Sequence, residues 1–119
     1  EQAREFRSAF SAQNSRAPKN RTMQKSLIVE EFKEFIEAEP QLYRNNPELH
    51  AEVLKELADL VYVCYQYAEN MGWDLDEAYR RVHVSNMSKL GEDGKPIYRE
   101  DGKVLKSAKY KPPTLTDIV

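Results

Sequence analysis

The chain predicts an all-α fold: an antiparallel four-helix bundle with a C-terminal β-hairpin or extended arm, in an oligomer. Three observations point there. Apolar residues recur at spacings of three and four between breakers, prolines and capping residues stand where those patterns start and stop, and glycines punctuate everything after Leu90. Length argues for a single domain over residues 1–119, with the bundle spanning about 2–90 and the arm about 91–119.

The first helix is expected over Gln2 to Gln13, where Phe6 and Phe10 fall four apart. A polar, proline-bearing loop, Asn14 to Arg21, follows. Thr22 caps the second helix, whose Met23, Leu27, Ile28, Phe32, Phe35 and Ile36 keep helical spacing until Pro40 stops it. Asn46-Pro47 opens the third helix, which runs without a breaker to Asn70 and closes at Met71-Gly72. Its apolar residues cover more than one face, so it should be central. Asp74, with Glu77 three residues on, opens a fourth helix to about Lys89. Beyond it, Pro96 to Arg99 and Lys103 to Lys106 flank Glu100-Asp101-Gly102, as two strands flank a turn. So small an arm needs the bundle or a neighbouring subunit to pack on.

Composition narrows the class. Apolar residues make up 40% and charged residues 32%, which suits helices with solvated outer faces and leaves part of the core to self-association. No apolar run reaches membrane-span length, and Glu1 to Phe10 is not signal-like, so a cytoplasmic protein is expected. Cys64, the single cysteine, excludes a disulfide framework and lies among Val61, Val63 and Tyr65 as inert packing. Net charge is only −2, yet residues 26–79 hold 13 acids against 3 bases, while the flanks hold 7 against 15. An acid-lined centre of two or three metal ions beside bases from elsewhere is the balance a triphosphate needs; a nucleic-acid surface would favour a basic domain.

Two acidic pairs share one spacing, Glu31 with Glu34 and Glu56 with Asp59. Positions three apart return to one helix face, so the carboxylates of each pair project together. They interrupt apolar rows, Leu27-Glu31-Glu34-Ala38 and Leu49-Glu56-Asp59-Val63. Buried anions need a partner, which points to a divalent metal, and a di-iron bundle would want Glu-x-x-His on the acid-bearing helices. Neither His50 nor His83 stands three residues after one of the four acids.

Written out, the motifs are Glu30-Glu31-Phe32-Lys33-Glu34 and Glu56-Leu57-Ala58-Asp59, separated by the 21 residues Phe35 to Lys55. This resembles the all-α nucleotide pyrophosphohydrolases of the MazG and phosphoribosyl-ATP pyrophosphohydrolase superfamily, with EExxE, a variable gap, then ExxD. Phe6 to Phe10, Leu27-Ile28-Val29 and Ser85-Asn86-Met87-Ser88-Lys89 extend the likeness to short single-domain members, phage-borne ones included, for which the setting is the host cytoplasm. The resemblance implies that Glu31, Glu34, Glu56 and Asp59 ligate Mg²⁺, for which Mn²⁺ substitutes. It implies hydrolysis at the α-phosphorus to a nucleoside monophosphate and pyrophosphate, and a homodimer or tetramer without membrane or nucleic-acid partners. Asn86, Lys89 and Lys25 are the candidates for holding the substrate, with Arg81 and tail residues Lys103, Lys106, Lys109 and Tyr110 behind them. Glu30 and Glu52 stand as auxiliary acids or solvated helix residues, and the aromatics Tyr62, Tyr65, Tyr67 and Trp73 are assigned to packing.

The tail resemblance favours nucleotide-pool control with a purine deoxynucleotide such as dGTP or dATP. The rival within the class is phosphoribosyl-ATP hydrolysis in histidine synthesis, which shares the acidic signature. A third reading is a non-catalytic helical interaction module whose acids are salt-bridged.

Overall fold

In the computed structural model, which describes all 119 residues, the first helix, α1 (Gln2–Ala9), stops short of the expected Gln13. Ser11 takes a left-handed φ of 56° and turns the chain out, while the Ala12 N–H bonds back to the Arg7 carbonyl at 2.8 Å. The second helix, α2 (Pro18–Ala38), begins four residues before the expected Thr22. Proline at the first helical position loses no bonded N–H and has a helical φ already set, so Pro18 starts the helix with no side-chain cap, and Thr22 lies within it. Helix geometry tightens to a 3₁₀ turn at Glu39–Tyr43, which holds Pro40.

Helix α3 (Pro47–Met71) has the expected ends. Asn46 accepts from the Glu48 N–H at 2.9 Å, and Gly72 at φ 75° closes the far end. There the Trp73 N–H reaches the Ala68 carbonyl and the Gly72 N–H the Glu69 carbonyl, a Schellman closure whose left-handed residue favours glycine.

These elements form one of two compact units, Glu1–Trp73, the other being Asp74–Val119. Within the first, α2 and α3 pack side by side and α1 lies against α3. The α2–α3 pair is antiparallel. Its register is pinned twice: Asn20 bonds to Asn70 at one end, and Glu31 meets Asp59 further along. Only Ala3, Val53, Ala68 and Met71 among its apolar residues are fully buried. By contrast, Val29, Phe32 and Ile36 on α2, and Leu54, Leu57 and Val61 on α3, stay exposed at helical spacing.

The second unit opens with α4 (Leu75–Met87), whose Asp74 accepts from the Glu77 N–H at 3.0 Å. Strands β1 (Ile97–Tyr98) and β2 (Val104–Leu105) pair antiparallel, Ile97 opposite Leu105 and Tyr98 opposite Val104, so that of the hairpin and the extended arm the hairpin forms. The last residues return to α4. Ser85 Oγ donates to the Lys111 carbonyl at 2.7 Å, and Arg81 forks onto Asp117 beside an unexpected 3₁₀ turn, Thr116–Ile118. No helix is long and apolar enough to cross a membrane.

Candidate metal centre

All eight residues of the two interrupted rows are half-buried, so both faces point into the α2–α3 seam as their periodicity requires. Antiparallel register then brings Glu31 to the level of Asp59. Carboxylate oxygens of Glu31, Glu56 and Asp59 lie within 4.8 Å of one another. Glu34 stands outside that group, three residues along α2 from Glu31 and near enough for its carboxyl to disfavour charge on Glu31. Three of the four expected ligands thus converge, and the fourth extends the cluster along α2.

The electrostatics follow from that crowding. Burial first, then the Glu34 carboxyl and the charges of Asp59 and Glu30, push the Glu31 carboxyl above the usual carboxylate range. Glu31 Oε2 and Glu56 Oε2 are both buried with no hydrogen-bond donor. Lone pairs so placed lose water without replacement, a cost a cation removes directly. An oxygen-only donor set of this kind suits a hard divalent cation. The residues therefore fit a divalent cation.

One base touches the cluster, and the sequence reading had not assigned it a role. Lys55 Nζ lies 2.8 Å from Asp59 Oδ2 and 3.7 Å from Glu56 Oε1. Asp59 first, then Glu56, hold its ammonium above the ordinary lysine range. Lys33, equally close in sequence, turns to Glu37 at 3.9 Å.

The other candidates are placed as follows. Lys25 is exposed on α2, and six residues of helix set it about 120° around from Glu31. Asn86 is exposed in the last turn of α4, and Lys89 is half-buried in the turn after it, both within the second unit. Glu30 and Glu52 are exposed, as are His50 and His83. Tyr62 stands edge-on to Phe6 at 5.6 Å, and Tyr67 is tilted against Trp73 at 6.0 Å. Cys64 is half-buried, and burial pushes its thiol up, away from the reactive thiolate.

A buried polar hub went unread in the sequence. Arg7 of α1, 5% exposed, donates to Asn14 Oδ1, Gln66 Oε1, the Gln13 carbonyl and Asn70 Oδ1. Asn70, 2% exposed, also accepts from the Ser15 N–H and donates to the Ser15 carbonyl. Nothing in a lone Arg on a charged helix signals burial, although Asn70 in the apolar run of α3 was a cue.

A pair of antiparallel helices with converging carboxylates sets an oxygen-rich acidic cluster on a helical hairpin, a donor set able to hold a divalent cation. The family match specifies which kind. A model described as phosphoribosyl-ATP pyrophosphohydrolase (PRA-PH) matches residues 3–86, and the chain belongs to that family, within the all-α superfamily it shares with MazG-like proteins. Among curated proteins, none matches the chain. Members of the family are pyrophosphohydrolases acting on phosphoric anhydride bonds and typically depend on a divalent metal. The protein is an enzyme of that class, which sets aside the reading as a non-catalytic interaction module.

Proposed function

We propose that the protein is a Mg²⁺-dependent pyrophosphohydrolase that cleaves a nucleoside triphosphate at the α-phosphorus, releasing the monophosphate and pyrophosphate. The observation that carries this reading is the meeting of Glu31, Glu56 and Asp59 within 4.8 Å, with two buried oxygens lacking any donor. These three carboxylates, with Glu34 beside Glu31, would hold the ion, and Mn²⁺ would substitute for it. Bound there, the ion supplies charge neutralisation at the phosphate oxygens and a more acidic water.

The chain's own residues do the rest. Carboxylates fixed on two packed helices set the geometry before substrate arrives, so little reorganisation is needed at reaction. Glu34, outside the tight group and three residues from Glu31, would accept a proton or complete the ligand set. Lys25, on the same helix as Glu31 and Glu34, would supply a cation for the polyphosphate.

Two substrates are proposed for this reaction. A purine deoxynucleoside triphosphate such as dGTP or dATP is the first, on the likeness of the tail to phage-type relatives. Phosphoribosyl-ATP, the substrate that names the matched family, is the second, and that match favours it equally. The working unit is a single catalytic domain of antiparallel helices, self-associated as a homodimer or tetramer through the exposed apolar stripes of α2 and α3.

Incubation with Mg²⁺ and a panel of the eight common triphosphates plus phosphoribosyl-ATP tests the proposal. Monophosphate and pyrophosphate should accumulate with at least one and vanish with EDTA. Absence of both products across the panel removes the reading; turnover of phosphoribosyl-ATP alone moves the enzyme to the second substrate.

A further inference from the structure

The cation in contact with the carboxylate cluster is part of the chain. Lys55 Nζ sits on Asp59 Oδ2 at 2.8 Å and near Glu56 Oε1 at 3.7 Å, two of the three residues whose oxygens converge. Its side chain is 66% exposed, so the ammonium reaches the cluster from the rim on a flexible stem and is not locked by packing. Asp59 Oδ2 cannot give its full charge to Nζ and to a divalent ion at once. Two cations crowded on one carboxylate also repel each other, so whatever occupies the cluster weakens the other's hold by the same factor.

We propose that Lys55 is an exchangeable counter-cation: it neutralises the cluster while no metal is bound, and turns to the polyphosphate of the substrate once metal has taken the carboxylates. This rests on the metal-site reading above. Charge arithmetic supports both halves. Glu31, Glu34, Glu56 and Asp59 place four formal negative charges along the seam, and Lys55 is the base the structure sets against them. A triphosphate then adds several more negative charges at the same place, and a lysine displaced by metal stands beside them with three donors and no carboxylate of its own. Lys55 directly precedes Glu56 on α3, so its reach is tied to the ligand-bearing helix itself.

The test compares wild type with Lys55→Gln and Lys55→Arg, the second retaining the charge. Mn²⁺ binding is followed without nucleotide by loss of the free-ion resonance signal, and steady-state KM and kcat are then measured on the best panel substrate. Exposed ion pairs are weak, so Lys55→Gln should bind Mn²⁺ about two- to fivefold tighter. Its KM should rise by a similar factor, roughly two- to fivefold, with kcat changed less, since a surface phosphate contact is of the same strength. Lys55→Arg should stay near wild type in both. Lys55→Gln binding Mn²⁺ no tighter than wild type, or keeping wild-type KM, overturns the assignment. If wild type binds Mn²⁺ and turns over substrate while Lys55→Gln is indistinguishable from it, only the role of Lys55 fails; if wild type neither binds Mn²⁺ nor releases pyrophosphate, the metal-site reading fails with it.

Discussion

Glu31 is where the opposing demands on this protein meet. Its carboxyl is crowded by Glu34, Asp59 and Glu30, one of its oxygens is buried without a donor, and both facts cost stability unless a cation arrives. Replacing it by Gln, or Asp59 by Asn, keeps shape and removes charge. Turnover should fall on the order of 100-fold or more in each variant, because a ligand oxygen is lost where even supporting partners matter tenfold or more. Thermal melting gives the independent sign: in EDTA the variants should melt no lower than wild type, since repulsion is relieved, while the rise in melting temperature on adding Mn²⁺ should shrink or disappear. Wild-type activity in both variants would remove these carboxylates from the chemistry. Lys55 belongs to the same balance, since it takes up part of the charge that Glu31 and its neighbours leave uncompensated.

Among the elements, helix ends repay attention. Asn46 and Gly72 bound α3 by local rules, whereas α2 begins at Pro18 because a proline at the first position stands in for a cap. Helix α4 is fastened differently, through charges. Glu77 is held down at about 2, first by its hydrogen bonds from Arg80 and then by Arg81, and Asp117 is lowered by Arg81. A carboxyl depressed in the folded chain binds protons more weakly there than when unfolded. Its stabilising effect is therefore complete above its ordinary value and is lost as pH falls toward about 2. Amide exchange in residues 111–118 should accordingly speed up as pH is lowered through that window, after correction for the intrinsic rate. Arg81→Met should show the faster exchange already at neutral pH and lose most of the acid dependence. Unchanged protection in Arg81→Met would show that the backbone bonds, such as Ser85 to the Lys111 carbonyl, hold the segment unaided.

For the whole molecule the unpaired apolar stripes decide the matter. Val29, Phe32 and Ile36 fall on one face of α2, and Leu54, Leu57 and Val61 on one face of α3, each at spacings of three and four and each exposed. Apolar stripes of that kind on helices are ordinarily covered, and a second copy is the occupant proposed here. Phe32→Glu and Leu57→Glu place a charge in the middle of each stripe. Light scattering on a sizing column should show wild type at a multiple of the chain mass and both variants shifted toward a single chain; a wild-type monomer would leave the stripes to some other partner.

The order of the helices, the two ends of α3, the place of the hairpin turn and the phase of both acidic pairs were all present in the linear chain. Each depends on neighbours within about a turn, through caps, prolines, glycines and helical period. Thr22 misled because a capping residue and a first-position proline compete for the same helix start, and the proline lies earlier. What folding alone decided is of another kind: that Glu31 and Asp59 share a level while Glu34 stands aside, that Lys55 turns inward and Lys33 does not, and that Arg7 is buried against Asn70. Those outcomes depend on the register between two helices and on which face a third covers, distances set by packing across the chain and not by spacing along it.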